Sequence, residues 1–233
     1  MTGGFYTNGK HITDFDLTLV SRDAPAPEDV EVIETVPWRS GVIDFSLMMG
    51  EPIKKNRPLK YNLIGVERDQ IRKLTTKTRI VNWLMDGRIR EIYDDGEPGY
   101  YYLGKCVDVK LKNDDGVGKV EYEIEFDCYP YRISIYKEGN DIWDSFNFEL
   151  DIAQSTSFTV EGEKSVTLYN NGAIGLSPQI NASAAFTIIK EGISYNMPSG
   201  VSKSDLFRLE KGINNLKIIG TGDISFSFYK ELI

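Results

Sequence analysis

The chain has 233 residues, 41% of them hydrophobic, with a formal net charge of -8 and a pI near 4.9. That size and apolar content suffice for one large β domain or two smaller ones. The acidic balance excludes a general nucleic-acid binder, because backbone phosphates would be repelled. The N-terminal MTGGFYTNGK lacks the apolar core of a signal peptide, and no run approaches the ~20 apolar residues that cross a bilayer. A soluble protein without membrane insertion is expected.

In chain order, Phe5 and Tyr6 ahead of Asn8-Gly9 predict a short strand and a turn. Phe15, Leu17 and Leu19 alternate with polar residues and predict a second strand. Residues 21–38 carry Pro25, Pro27 and Pro37 among many charges, yet Val30, Val32 and Val36 keep an extended character. By composition this segment reads as a long surface loop that a partner subunit could hold as an arm. Two further alternating sets follow, Ile43-Phe45-Leu47 and Leu59-Tyr61-Leu63. Residues 69–84 form the convincing helix. Asp69 is its N-cap candidate, Asp86-Gly87 its stop, and Ile71, Leu74, Thr78, Val81 and Met85 its predicted buried stripe. Arg68, Arg72, Lys73, Lys77 and Arg79 make its other face basic, and Trp83 beside the stripe is read as core rather than interface.

Arg88 to Tyr93 predicts a strand, and Asp94-Asp95-Gly96-Glu97-Pro98-Gly99 an acidic turn. The return strand begins at Tyr100-Tyr101-Tyr102 and continues through Val107, Val109 and Leu111. Asn113-Asp114-Asp115-Gly116 turns the chain into EYEIEFDCYPYR. There Val120, Tyr122, Ile124, Phe126 and Cys128 alternate with acids, which marks a strand with one buried face. Pro130 cannot donate to a central ladder, so Tyr129, Pro130 and Tyr131 mark a domain junction. The chain therefore divides into residues 1–132, mainly antiparallel β with one packed helix, and residues 133–233.

The second region is less charged and breaks into short β segments. Phe146-Phe148-Leu150 alternate, followed by Phe158-Val160, Val166-Leu168, Ala182-Ala184-Phe186 with Thr187 and Ile189 on the opposite register, and Leu216-Ile218. The chain then passes through Gly220-Thr221-Gly222 to Ile224, Phe226 and Phe228. A two-sheet β-sandwich buries such half-apolar strands. Lys211-Gly212-Ile213-Asn214-Asn215 reads as a turn whose asparagines bond back to local backbone.

Catalytic readings fare poorly. The acid pairs Asp94-Asp95 and Asp114-Asp115 are adjacent in turns and need not converge on one substrate, whereas a glycosidase dyad requires face-to-face placement across a cleft. Asp114-Asp115-Gly116 lacks the other oxygen ligands of a calcium loop. His11 has no motif tying it to a nucleophile, and no phosphate loop, dinucleotide fingerprint or metalloprotease motif is present. Cys106 and Cys128 fall on adjacent predicted strands, where a disulfide is possible but two buried thiols are the favoured reading. No catalytic residue, cofactor or metal is expected.

The order of features resembles the distal tail proteins of long-tailed, non-contractile bacteriophages, the siphophage tail component family. The resemblance runs through Phe5, Asn8-Gly9, Phe15-Asp16-Leu17, Trp38-Arg39-Ser40-Gly41, Asn82-Trp83-Leu84, Tyr93-Asp94-Asp95 and Gly99-Tyr100-Tyr101. It closes the first region at Phe126-Asp127-Cys128-Tyr129-Pro130-Tyr131. In the second it rests on Asn171-Gly172 ahead of Ser177-Pro178-Gln179-Ile180, and on Leu209-Glu210-Lys211-Gly212-Ile213-Asn214.

The resemblance implies an N-terminal ring domain followed by a galectin-like β-sandwich. Six copies would form a homo-oligomeric ring joining the tail tube protein to the tail tip or tail-associated protein, with a central channel for DNA. Receptor-binding proteins are further implied partners, and sequence-specific nucleic-acid binding is not expected. An arm at 21–38, with Pro25, Pro27, Val30, Val32, Val36 and Trp38, would reach the adjacent subunit. The protein would reside in the virion tail, assembled in the host bacterial cytoplasm. The alternative is a carbohydrate-binding adhesion protein using the sandwich, although a galectin-like fold does not itself establish sugar binding.

Overall fold

The computed structural model describes residues 3–38, 40–47, 50–67, 69–114, 118–142 and 146–233, with backbone alone at Asn113 and Asp114. Residues up to Arg132 form one compact unit, and Ile133–Leu232 form another.

In the first unit, β1 (Phe5–Thr7) turns through Asn8 and Gly9, both at positive φ, into β2 (Lys10–His11). The expected strand around Phe15 is instead a 3-10 helix over Ile12–Phe15, capped at its end by Asp16 in the left-handed region. Regular pairing begins at β3 (Thr18–Asp23). The 3-10 turn lets Ile12 and Phe15 both face the core, where a strand would place residues three apart on opposite sides.

A ribbon of β4 (Ile33–Thr35) and β5 (Val42–Asp44) follows, and Phe45 and Leu47, expected inside a strand, lie beyond it and exposed. Then come β6 (Arg57–Val66), helix α1 (Gln70–Leu84), β7 (Arg90–Asp94), β8 (Tyr100–Asp114) and β9 (Lys119–Cys128). The main sheet runs in the order β2-β1-β7-β8-β9-β6-β3, antiparallel at each of its pairings.

In β9 the alternation holds: Val120, Tyr122, Ile124, Phe126 and Cys128 are buried. The acids face outward, Glu123 against Lys112 at 2.5 Å and Glu125 against Lys60 at 3.3 Å. In β8 the pattern shifts. Register irregularities between Cys106 and Asp108 and between Leu111 and Asn113 put Cys106 and Val109 inside and leave Val107 and Leu111 exposed. An extra residue at a bulge flips every side chain after it. Cys106 and Cys128 are free thiols, and burial pushes each up to about 12. Asp115 and Gly116, and with them part of the expected 113–116 turn, lie outside the described residues.

Helix α1 corrects the expected stripe. Asp69 does cap it, accepting from the Ile71 amide at 3.1 Å. However, its buried residues are Lys73, Thr76, Ile80, Trp83 and Leu84. Ile71 is 74% exposed, Leu74 66% and Met85 45%; Thr78 is exposed too, and Val81 is half-buried. A helix buries one face, and the indole of Trp83 outweighs the aliphatic stripe. The ring lies flat against Phe15 (4.8 Å between centroids) and Phe5 (5.7 Å), and its Nε1 donates to the Thr7 carbonyl at 3.0 Å. Trp83 is core.

Strand β10 (Arg132–Lys137), whose first residue still belongs to the first unit, carries the chain into the second and pairs with the last strand, β17 (Tyr229–Leu232). Between them lie β11 (Ser157–Asn170), β12 (Gln179–Ala182), β13 (Phe186–Lys190), β14 (Ile193–Met197), β15 (Gly200–Ser202) and β16 (Gly212–Ser227). The expected strand at Phe146-Phe148-Leu150 does not form. Asn147 caps a turn there, and Phe148 is exposed.

β16 runs unbroken through Gly220-Thr221-Gly222, paired with β11 from Ser157↔Ser225 to Asn170↔Gly212. Its other edge pairs with β13 at 217–219 and with β12 at 224–227. Gly220, opposite Gly162, and Gly222, opposite Val160, all three glycines at positive φ, bend the pair between these two contacts. The result is a curled, open sheet of galectin-like sandwich type. Val160, Leu168, Ile188, Leu216, Ile218 and Phe226 meet inside it. Asn214 bonds the Glu210 backbone in both directions at 2.8 Å, which accounts for the turn there without a ligand.

Two substitutions test this packing. Trp83→Ala removes the indole between Phe5 and Phe15 and is expected to cost about 3–5 kcal/mol, read by denaturant unfolding of the first unit. At Gly220 (φ +148) an added Cβ would lie 2.5 Å from Phe186 Cδ1, so Gly220→Ala is expected to cost about 1–3 kcal/mol. A melt indistinguishable from the parent would refute the bend as a glycine requirement.

Candidate assembly ribbon and its anchor

Residues 24–56 leave the main sheet between β3 and β6 and return to it as a ribbon. Near its root the Val30 amide donates to the Ile53 carbonyl at 2.7 Å, and Lys55 to Glu28 at 2.8 Å. Lys54 pairs with Asp29 at 2.6 Å, and Lys55 with Glu28 at 3.1 Å. Further out β4 and β5 pair in the register Ile33↔Asp44 to Thr35↔Val42, and the Phe45 amide donates to the Val32 carbonyl.

The excursion does not coincide with the 21–38 segment named from the sequence. Residues 21–23 belong to β3, and the excursion extends to residue 56. Of the residues named for it, Pro27 is buried and Val30 half-buried, whereas Pro25, Val32, Val36 and Trp38 are exposed. Trp38 is fully exposed with φ +66, and Val42 and Leu47 are also exposed on the ribbon. Arg39 lies outside the described residues.

A charged clasp holds both roots of the ribbon. Arg22, at the end of β3, sets its Nε 2.6 Å from the carboxylate of Asp94 and also pairs with Glu97. Arg57, at the start of β6, donates to Tyr102 Oη at 3.2 Å and stacks 4.9 Å from the Tyr102 ring centroid. It also donates to the carbonyls of Ala24 and Pro130. Tyr102 donates to Glu97 at 2.7 Å, Arg132 pairs with Glu97 at 3.1 Å, and Tyr61 donates to Asp94 at 2.6 Å. Asp94 is 1% exposed at its side chain. Such a carboxylate persists because cations and hydrogen bonds satisfy it.

Burial pushes Glu97 up, but bonds from Arg22, Tyr102 and Arg132 outweigh it and hold the carboxyl below its ordinary value. Burial and the bond to Glu97 push Tyr102 up to about 12. Burial, followed by the Asp94 charge and its hydrogen bond, also raises Tyr61.

The sequence reading missed this clasp and took Asp94 for a turn acid. One signal was present. Arg57 is in phase with the inward residues Leu59, Tyr61 and Leu63, so its side chain had to enter the core. The expected junction residues lie beside the clasp: Tyr129 donates its amide to Leu103, Pro130 lends its carbonyl to Arg57, and Tyr131 is buried.

Catalytic geometry gains little. His11 Nε2 lies 3.1 Å from Asp95, and its Nδ1 lies 2.8 Å from Thr13 Oγ1. The Thr13 amide donates to the same Nδ1, so the arrangement caps the 3-10 helix. Among the described residues, no group of three or more His, Cys, Asp or Glu is placed to hold a metal. Phe186 and Phe226 are buried in the second core, while Trp143 lies outside the described residues.

No protein-family model and no curated protein matches the chain. Among solved structures, the phage SPP1 Dit protein, described as a paradigm of the hub adsorption apparatus in phages infecting Gram-positive hosts, aligns with a TM-score of 0.69. The alignment covers 100% of both chains at 13% identity. The chain has the fold of SPP1 Dit. Chains from the phage p2 baseplate in its activated conformation, with Sr and with Ca, align at 10% and 11% identity over 99% and 100% of this chain. They cover 98% and 99% of those chains, with a TM-score of 0.42 each.

The clasp predicts an acid limit to stability. A carboxyl held below its unfolded value stabilises the fold above that value, near pH 4.3–4.5, and the contribution is lost as pH falls through the folded value. Glu97→Gln is expected to lower the melting temperature at pH 7 and to flatten its decline below about pH 4.5. Parallel pH–melting curves for parent and variant would contradict this.

Proposed function

We propose that the chain is a structural hub at the distal end of a phage tail, where six copies form a ring that joins the tail tube to the tip or baseplate. The first unit builds the ring, the second projects from it as a docking surface, and the ring leaves a channel for DNA. The protein is non-enzymatic and resides in the virion tail after assembly in the host bacterial cytoplasm.

The observation that carries this reading is the ribbon. A two-stranded ribbon is marginal by itself in water. This one keeps Val32, Val36, Trp38, Val42 and Leu47 exposed while a buried charge clasp fixes its roots. Exposed apolar surface on a rigid mount calls for a second chain. The SPP1 Dit fold supports the hub reading, and the formal charge of -8 suits a passage to which DNA must not adhere.

Light scattering of the purified chain is expected to give a hexamer. A variant whose residues 31–47 are replaced by a short Asn-Gly turn is expected to be monomeric with an intact melt. A ribbonless chain that still assembles would overturn the arm reading.

A further inference from the structure

Helix α1 presents the second unexplained surface of the first unit. Ile71 and Leu74 form an exposed apolar patch directed away from the face that Ile80, Trp83 and Leu84 bury, and Met85, just past the helix end, is exposed as well. At 100° per residue, Lys77 flanks this patch on one side and Arg72 and Arg79 flank it on the other. The ribbon has the opposite charge. Its root lysines are paired with Asp29 and Glu28, which leaves Glu31, Glu34 and Asp44 exposed among its apolar residues, against Arg39 alone in sequence.

We infer that the ribbon of one copy docks on the α1 patch of the next copy. The inference rests on the arm reading and adds to it the acceptor surface. Two features favour a second copy of this chain over another partner. Within one chain both surfaces remain exposed, so neither serves the other. A head-to-tail ring also needs two different complementary patches on each subunit, whereas a two-fold dimer pairs a patch with itself. An acidic apolar ribbon and a basic apolar patch are such a pair. Trp83, packed on Phe5 and Phe15, keeps this patch outside.

Cysteine pairing tests the contact in the full chain. Val42→Cys in one preparation and Leu74→Cys in another are mixed and mildly oxidised. The native thiols, buried and held at about 12, stay silent. A covalent dimer is expected only in the mixture, and not when Leu206→Cys, exposed on the second unit, replaces Leu74→Cys. Leu74→Glu, at an exposed position, is expected to fold normally and to raise the concentration needed for assembly at least about tenfold.

No Val42–Leu74 dimer at any concentration, or unchanged assembly of Leu74→Glu, overturns the inference. If removing residues 31–47 still abolishes the hexamer in that case, only the acceptor surface is wrong. If the ribbonless chain assembles, the arm reading falls as well.

Discussion

The carboxylate of Asp94 sits almost wholly out of water at the end of β7, and the geometry of the first unit is built around satisfying it. Arg22 reaches it from β3 and Tyr61 from β6, while the adjoining Glu97 gathers Tyr102 and Arg132. Removing one cation from such a cluster leaves a buried charge unmatched, so the members stand or fall together. Together with the β3–β6 pairing, which runs to Asp23↔Lys60, the cluster holds the end of β3 and the start of β6. Those are the two points from which the ribbon departs and to which it returns.

A rigid mount changes what an exposed ribbon can do. A free hairpin would lose conformational entropy on ordering, whereas a ribbon with held roots has already met part of that cost in folding the chain. The same logic applies to α1. Trp83, clamped between Phe5 and Phe15 and bonded to Thr7, sets the rotation of the helix about its axis. That rotation sends Ile71 and Leu74 outward. The fold thus holds two apolar surfaces in water, of opposite charge, at positions set by buried contacts.

The second unit achieves its shape differently. Its charges lie mostly outside, and curvature comes from glycines. Gly162, Gly220 and Gly222 let one long strand pair serve two groups of neighbours, so a single sheet curls over its own core. In β8 the equivalent adjustment is made by bulges, which move Val109 inward and Val107 out.

The alternation in β9, the inward phase of Leu59, Tyr61 and Leu63, the Asn8-Gly9 turn and the Asp69 cap were legible because each depends on neighbours within a few residues. So was the mainly β character with one helix. The choice between two competing helix faces was not legible, because apolar spacing alone favoured Ile71 and Leu74, and only the pocket offered by Phe5 and Phe15 made Trp83 decisive. Nor was the clasp, whose members come from residues 22 to 132 and meet only when β3, β6, β7 and β8 are assembled. Local sequence determined where strands, turns and the helix form, since backbone conformation answers to nearby side chains. Tertiary structure decided which apolar residues reach the core and which stay in water, since burial is limited and the largest, best-matched side chains claim it first.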